Sequence, residues 1–434
     1  MERIFAACSI GASVLVLQLS IGLNTGLYPG VTDAASELEV VFLTMEEKIP
    51  AARSNLDPFI HNEGIPGAEL GIADNNTTGR FTGQNFVLRV VEVKDSDSVV
   101  TAYQNLVKQG SHLFVTRLPG ASIRRMAEFS ESKQSLILDS STSDDALRVD
   151  LCHPEVLFLR PSRAMKTDAL AQYLLQKRWR KWFLLIGPNA EDTLYTEALR
   201  RSAKRYGMTI VEERDWQSNH DPHRTAQSEI PVMTQNDDYD VVVVADEQDL
   251  FGEYLAYRTW LARPVIGTQG LIATAWDPNH EQWGAEQLQN RFRETAARSM
   301  TEQDYTAWLA VRVIGEAATR TGKADSESLK AYIRSDEFSV AGFKGTKLSF
   351  RSWDGQLRQP ILLAAPRSVV EVAPLEGFLH PKNELDSLGY DEAEVKCGPP
   401  YEQPAMISSC RTDSKPRVQH FVSFIDTDFF QCRE

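Results

Sequence analysis

Hydroxyl side chains recur where short apolar runs end. Ser122 follows Pro119-Gly120-Ala121, while Ser140, Ser141 and Thr142 follow Asp139, and Ser162 follows Arg160-Pro161. The preceding runs are rich in Val, Ile, Leu and Phe, as buried strands are. In an open α/β sheet the carboxyl ends of the strands border the ligand crevice, and hydroxyls with helix-start amides can hold a polar or anionic group there. Plain helix N-capping, worth about 1 kcal/mol per site, accounts for any single serine as well. Farther along, Tyr195 stands near a helix start, Asp246 and Glu247 follow the valine run 241–245, and Gln269 follows Gly267-Thr268. An acid pair at a strand end can recognise an ammonium or hydroxyl group, or cap the next helix.

Other chemistries lack their residues. Neither GxxxxGK[ST] nor GxGxxG follows the first strand, so nothing cradles a nucleotide phosphate. No GxSxG places a nucleophile on a tight turn, so no catalytic residue is expected. His220 and His223 lie three apart but have no second pair to complete a metal site, and the sequence calls for no metal or cofactor. A formal charge of −14 disfavours nucleic acid, and Arg178, Arg180 and Lys181 around Trp179 and Trp182 read as a helix end before a strand.

The elements that must position these residues alternate. Strands are predicted at 38–43, 86–93, 112–116, 135–139 and 156–160, with helices such as 67–75 and 98–108 between them. A second alternation has helices at 163–177, 191–206 and 225–234, and strands at 182–186, 208–212, 241–245 and 264–266. The run 241–245, four valines and an alanine, calls for burial on both faces. Residues 281–335 read as helical, and 346–350 and 359–364 read as a β-hairpin about Asp354-Gly355. The fold class is therefore α/β, with doubly wound parallel-sheet lobes between which the chain crosses more than once.

Residues 1–35 have the form of an export signal, with Arg3, an apolar stretch 4–23 and small residues at Ala34 and Ala35; an uncleaved anchor is the alternative. Cys8 would leave with the signal. In an oxidising compartment Cys152 and Cys397 could close a long disulfide loop and Cys410 and Cys432 could pair, although spacing does not fix the connectivity. The proline-bearing segment 398–434 lacks the αβ rhythm and reads as an irregular appendage.

Several strings carry a resemblance: Ser54-Asn55-Leu56-Asp57, the run 72–80, Pro161-Ser162-Arg163-Ala164-Met165, Gly267-Thr268-Gln269-Gly270, Glu281-Gln282-Trp283-Gly284, the run 287–292, the run 355–360 and Leu388-Gly389-Tyr390-Asp391. Through them the chain resembles the type I periplasmic binding proteins of the branched-chain amino acid and amide class. It is most similar to the ABC transporter substrate-binding proteins of the PQQ-dependent alcohol dehydrogenase system. The resemblance implies a periplasmic, non-enzymatic protein with two lobes joined by a three-strand hinge that closes on a small solute. It also implies delivery to an ABC permease of the inner membrane and a link to alcohol oxidation, with the alcohol dehydrogenase system as a further partner. The lobes would be 36–160 plus 276–335 and 161–275 plus 336–397. In the family the positions matching Gly120-Ala121-Ser122 and 139–142 hold the ligand carboxylate, and an acid around Asp246, Glu247 or Asp249 holds its ammonium group. Asp139 departs from this pattern, because its charge would oppose a ligand carboxylate. Either it points away or the ligand is a neutral or cationic metabolite, and the second is the expectation. The alternative function is an accessory or sensory protein with a degenerate pocket.

Overall fold

The computed structural model describes residues 36–46, 60–151, 153–216 and 226–396. The signal segment, all five cysteines, His220, His223, the 54–57 string and the tail lie outside the described residues.

Strands β1 (Ser36–Met45), β2 (Gln84–Val93), β3 (Leu113–Arg117), β4 (Leu136–Asp139) and β5 (Val156–Phe158) form a sheet of order β2-β1-β3-β4-β5. Every pair in it is parallel. Parallel neighbours require crossovers, which helices α1 (Ile65–Thr82), α2 (Ser96–Lys108), α3 (Gly120–Ala127) and α4 (Asp145–Val149) supply or contribute to. Each strand's last residues therefore open onto a helix start along one edge.

The second unit begins with α5 (Arg163–Lys177) and continues through β6 (Lys181–Ile186), α6 (Ala190–Tyr206), β7 (Thr209–Asp215), α7 (Ala226–Met233), β8 (Val241–Ala245), β9 (Val265–Gly267) and β10 (Leu271–Thr274). All five residues of β8 are buried, as the valine run requires. The chain then builds α8 (Ala285–Ala296), α9 (Glu302–Thr321), α10 (Ser326–Ile333), β11 (Val340–Ala341), β12 (Lys347–Phe350), β13 (Leu357–Arg358), β14 (Ile361–Ala365) and β15 (Ser368–Ala373). The second sheet has order β15-β14-β10-β9-β8-β6-β7 and is mixed, because β14 pairs antiparallel with both β10 and β15. Strands β10, β11, β13 and β15 were not anticipated from the sequence.

Apolar clusters on both faces of each sheet form the core. Helix α9 returns to the first sheet and packs on α1 so closely that a Cβ on Gly67 would lie 2.0 Å from the Asp304 carbonyl oxygen. The same cluster takes in Phe338, Val340, Leu348, Phe350 and Leu357.

The expected hairpin is corrected by the pairing. Ser349 and Phe350 of β12 face Arg358 and Leu357, so the partner strand is 357–358, whereas 361–365 belongs to the second sheet. Pro360 cannot donate to a ladder, and the preceding Gln359 is turned away to donate to the Leu159 carbonyl at 2.6 Å. The intended second run is thereby cut from its neighbour and handed across to the other unit.

Candidate functional site

Three passages of chain join the two units: one after β5, one after β10 and one between β13 and β14. They are tied to each other. Phe158 N–H donates to the Gly355 carbonyl at 2.9 Å, and Gln356 Nε2 reaches the Phe158 and Arg160 carbonyls at 3.2 and 3.1 Å. Glu302, at the start of α9, accepts from Arg160, from Lys166 of α5 and from the Ala275 amide at 2.7 Å, so one carboxylate touches the first two passages and the second unit. Burial alone would raise its pKa, but Arg160 and Lys166 more than offset this and hold the carboxyl well below the usual carboxylate range. Lys344 Nζ donates to Gln359 Oε1 and the Pro360 carbonyl at 3.0 and 2.8 Å. Burial lowers its pKa to about 7.

Beside these passages lies a cleft of about 950 Å³. Its first wall is made from strand ends and the turns after them: Met45 and Glu46 after β1, Lys94 to Ser96 after β2, Arg117 to Gly120 after β3, and Ser141 to Asp144 after β4. Arg160 and Arg163 stand where the chain crosses, and Glu191, Leu194, Glu247 and Gln248 form the second wall. This is the location expected of a ligand crevice in open α/β sheets.

Ser141, Thr142 and Glu247 line this space. Ser141 Oγ also accepts from the Leu118 amide at 3.0 Å, joining the turns after β3 and β4. Asp139 does not line the cleft. Its carboxylate is fully buried and accepts from the Ser141 and Thr142 amides at 3.2 Å each, so it folds back to brace the turn after its own strand. Burial raises its pKa to about 6. The expectation of a neutral or cationic ligand rested on charge at Asp139, and that charge is turned inward.

The remaining candidates are structural neighbours of the cleft rather than its lining. Ser140 Oγ donates to the Thr116 carbonyl at 2.8 Å, and Ser162 caps α5 by accepting from the Met165 amide at 3.3 Å. Ser122, on the first turn of α3, is fully buried and its Oγ has no hydrogen-bond partner among the described residues. Tyr195 is buried in α6, where desolvation raises its phenol pKa. Asp246 accepts from the Leu250, Phe251 and Gly252 amides at 2.8–2.9 Å, and Gln269 donates to Asp249. No group of three or more His, Cys, Asp and Glu suited to a metal occurs among the described residues.

Two cations at or behind the cleft were not among the sequence candidates. Arg163 binds Glu247 Oε2 through Nε and Nη2 at 2.9 and 2.6 Å, and Arg148 is a fully buried guanidinium behind the turn after β4. Arg163 was visible in the 161–165 string, but nothing in the sequence pointed to a partner 84 positions away.

The family model described as periplasmic binding protein matches residues 62–368. Among curated proteins the sequence finds no match. Solved structures share the fold. A periplasmic binding protein from Burkholderia mallei is 15% identical, with 84% of this chain and 99% of that chain covered at a TM-score of 0.62. A branched-chain amino acid ABC transporter periplasmic ligand-binding protein from Burkholderia xenovorans is 14% identical over 83% and 99% at 0.65. A solute-binding protein from R. palustris in complex with benzoate is 12% identical over 79% and 98% at 0.59. With sheets, crossings and family match in agreement, the chain belongs to the periplasmic binding protein family and has its type I fold.

Proposed function

We propose that the protein is the periplasmic substrate-binding component of an ABC transporter, taking a small solute in the cleft and presenting it to a permease of the inner membrane. The carrying observation is that turns at strand ends of the first sheet and the ends of β8 and α6 from the second unit line one cleft beside three hinge passages. The division read from the sequence is 36–160 plus 276–335 and 161–275 plus 336–397; because the third passage follows β13 and 338–357 belongs to the first unit's core, we assign 336–358 to the first lobe. Ser141, Thr142 and Glu247 are the proposed ligand contacts among the sequence candidates, with Ser122, Asp139, Ser140, Ser162, Tyr195, Asp246 and Gln269 supporting them. The export-signal form of residues 1–35 supports a periplasmic location. The link to PQQ-dependent alcohol oxidation rests on the sequence strings that carry the resemblance.

Calorimetric titration of the mature chain and of Thr142→Trp tests this reading. A solute that binds the native protein and not the variant, whose indole would fill the cleft, is the expected result. Binding that persists in a correctly folded Thr142→Trp would place the solute elsewhere and refute the site.

A further inference from the structure

We infer that a second crevice between the units, separate from the cleft, binds a small carboxylate with an apolar body and uses Lys344 as its counterion. This crevice of about 420 Å³ shares no lining residue with the cleft. Trp283, residues 344–347 and Ser349 of the first unit form one side, Pro360 of the third passage adjoins them, and 372–374, Leu379 and 383–385 of the second unit form the other.

Two features of its lining lack a structural use. Trp283 has φ 53° and ψ 32°, a left-handed conformation that is costly for a bulky side chain, and it stands 50% exposed. A Cβ on Gly345 would lie 2.5 Å from the indole, so the ring rests on bare backbone and keeps the rest of its surface for the crevice. Lys344, by contrast, is 2% exposed. Its ammonium donates only to neutral oxygens, Gln359 Oε1 and the Pro360 carbonyl, and it forms no ion pair among the described residues. A buried cation without a carboxylate is disfavoured, and burial lowers its pKa to about 7. Glu302 acts on it from a distance, but that carboxylate is engaged by Arg160 and Lys166, and Lys166 opposes its effect.

The crevice has one acid, Glu384, which is exposed. Lys347 is exposed as well, so these two charges offset each other at the solvated rim and Lys344 is left as the unmatched charge on the buried side. Thr346 and Ser349 bring hydroxyls without a hydrogen-bond partner among the described residues, and Asn383, whose Oδ1 accepts from the Leu385 amide, keeps its side-chain N–H groups to donate. Val372, Pro374, Leu379 and Leu385 supply apolar surface beside Trp283 for the hydrocarbon body.

Calorimetric titration with phenylacetate and hexanoate against phenylacetamide and hexanamide tests this in the native chain and in Thr142→Trp. At least one carboxylate is expected to bind both proteins, about ten-fold or more tighter than its amide. Lys344→Met is expected to remove that preference, and Trp283→Asn to weaken the carboxylate by about ten-fold, asparagine being at ease in the left-handed region. Trp283→Asn decides the matter where Lys344→Met does not fold. Lys382→Met, a neighbouring cation outside the lining, should change nothing. Failure of both carboxylates to bind the native chain would overturn the site. Equal binding of acid and amide would overturn the role of Lys344, and undiminished binding in a folded Trp283→Asn would place the probe outside this crevice. Carboxylate binding that is lost in a folded Thr142→Trp would assign the probe to the cleft and overturn the inference. A cleft solute behaves in the opposite way, lost in Thr142→Trp and kept in Trp283→Asn, so failure of either site leaves the other standing.

Discussion

Arg148 Nε donates to Gln356 Oε1 at 3.0 Å, joining the turn behind the first wall of the cleft to the third passage between the units. The same guanidinium reaches the Thr142, Asp144 and Arg160 carbonyls at 2.8–3.0 Å and lies 4.1 Å from the centre of the Phe158 ring. It therefore ties the turn after β4 to the passages between the units. Arg148→Met is expected to cost about 3–5 kcal/mol, the range for breaking a buried charged network. Urea denaturation reads the loss, and unchanged stability would contradict the assignment.

Asp139 gives a pH signature. Burial raises its pKa from 3.8 to about 6, so the folded chain keeps a proton that the unfolded chain releases across that interval. Its contribution to stability consequently falls as pH rises from about 4 to 6, by about 3 kcal/mol in all. Asp139→Asn should flatten this part of the stability profile relative to the native chain. Parallel profiles for the two proteins would show that the carboxyl does not titrate in that window.

Glu302 is the counterion of Arg160 and Lys166 and the acceptor for the Ala275 amide. Glu302→Gln leaves two desolvated cations without their carboxylate, and a loss of about 3–5 kcal/mol is expected. Chemical denaturation at neutral pH checks it. A loss below about 1 kcal/mol would mean that the pairs behave like exposed ion pairs.

The described flanks of two cysteines meet. Lys396 donates its backbone N–H to the Val149 carbonyl at 3.1 Å and its ammonium lies 2.9 Å from Asp150. Peptide mapping of the exported protein without reductant is expected to recover Cys152 linked to Cys397. Recovery of both as alkylated free thiols would rule the bridge out.

How much of this was legible varies residue by residue. The valine run 241–245 announced a doubly buried strand, and the hydroxyls at 140–142 marked a strand end at the cleft, because both signals are local. Asp139 was misread since a carboxylate at a strand end can aim outward or accept from the next amides, and its own turn decided the matter. The fate of 359–364 depended on Gln359 meeting Leu159, 200 positions earlier, and no periodicity encodes such a partner. Arg163 and Arg148 escaped notice for the same reason, their acceptors Glu247 and Gln356 being distant in sequence.

The most direct measurement is thermal denaturation of the mature protein against amino acids, amides, alcohols, aldehydes, carboxylates and quinone-like compounds. A ligand of the folded state at 100 times its dissociation constant adds about 2.7 kcal/mol, which raises the melting temperature by a few degrees. The account predicts that rise for one solute class and its loss in Thr142→Trp. A flat response across the whole panel would contradict the solute receptor and favour an accessory protein that docks on a protein partner.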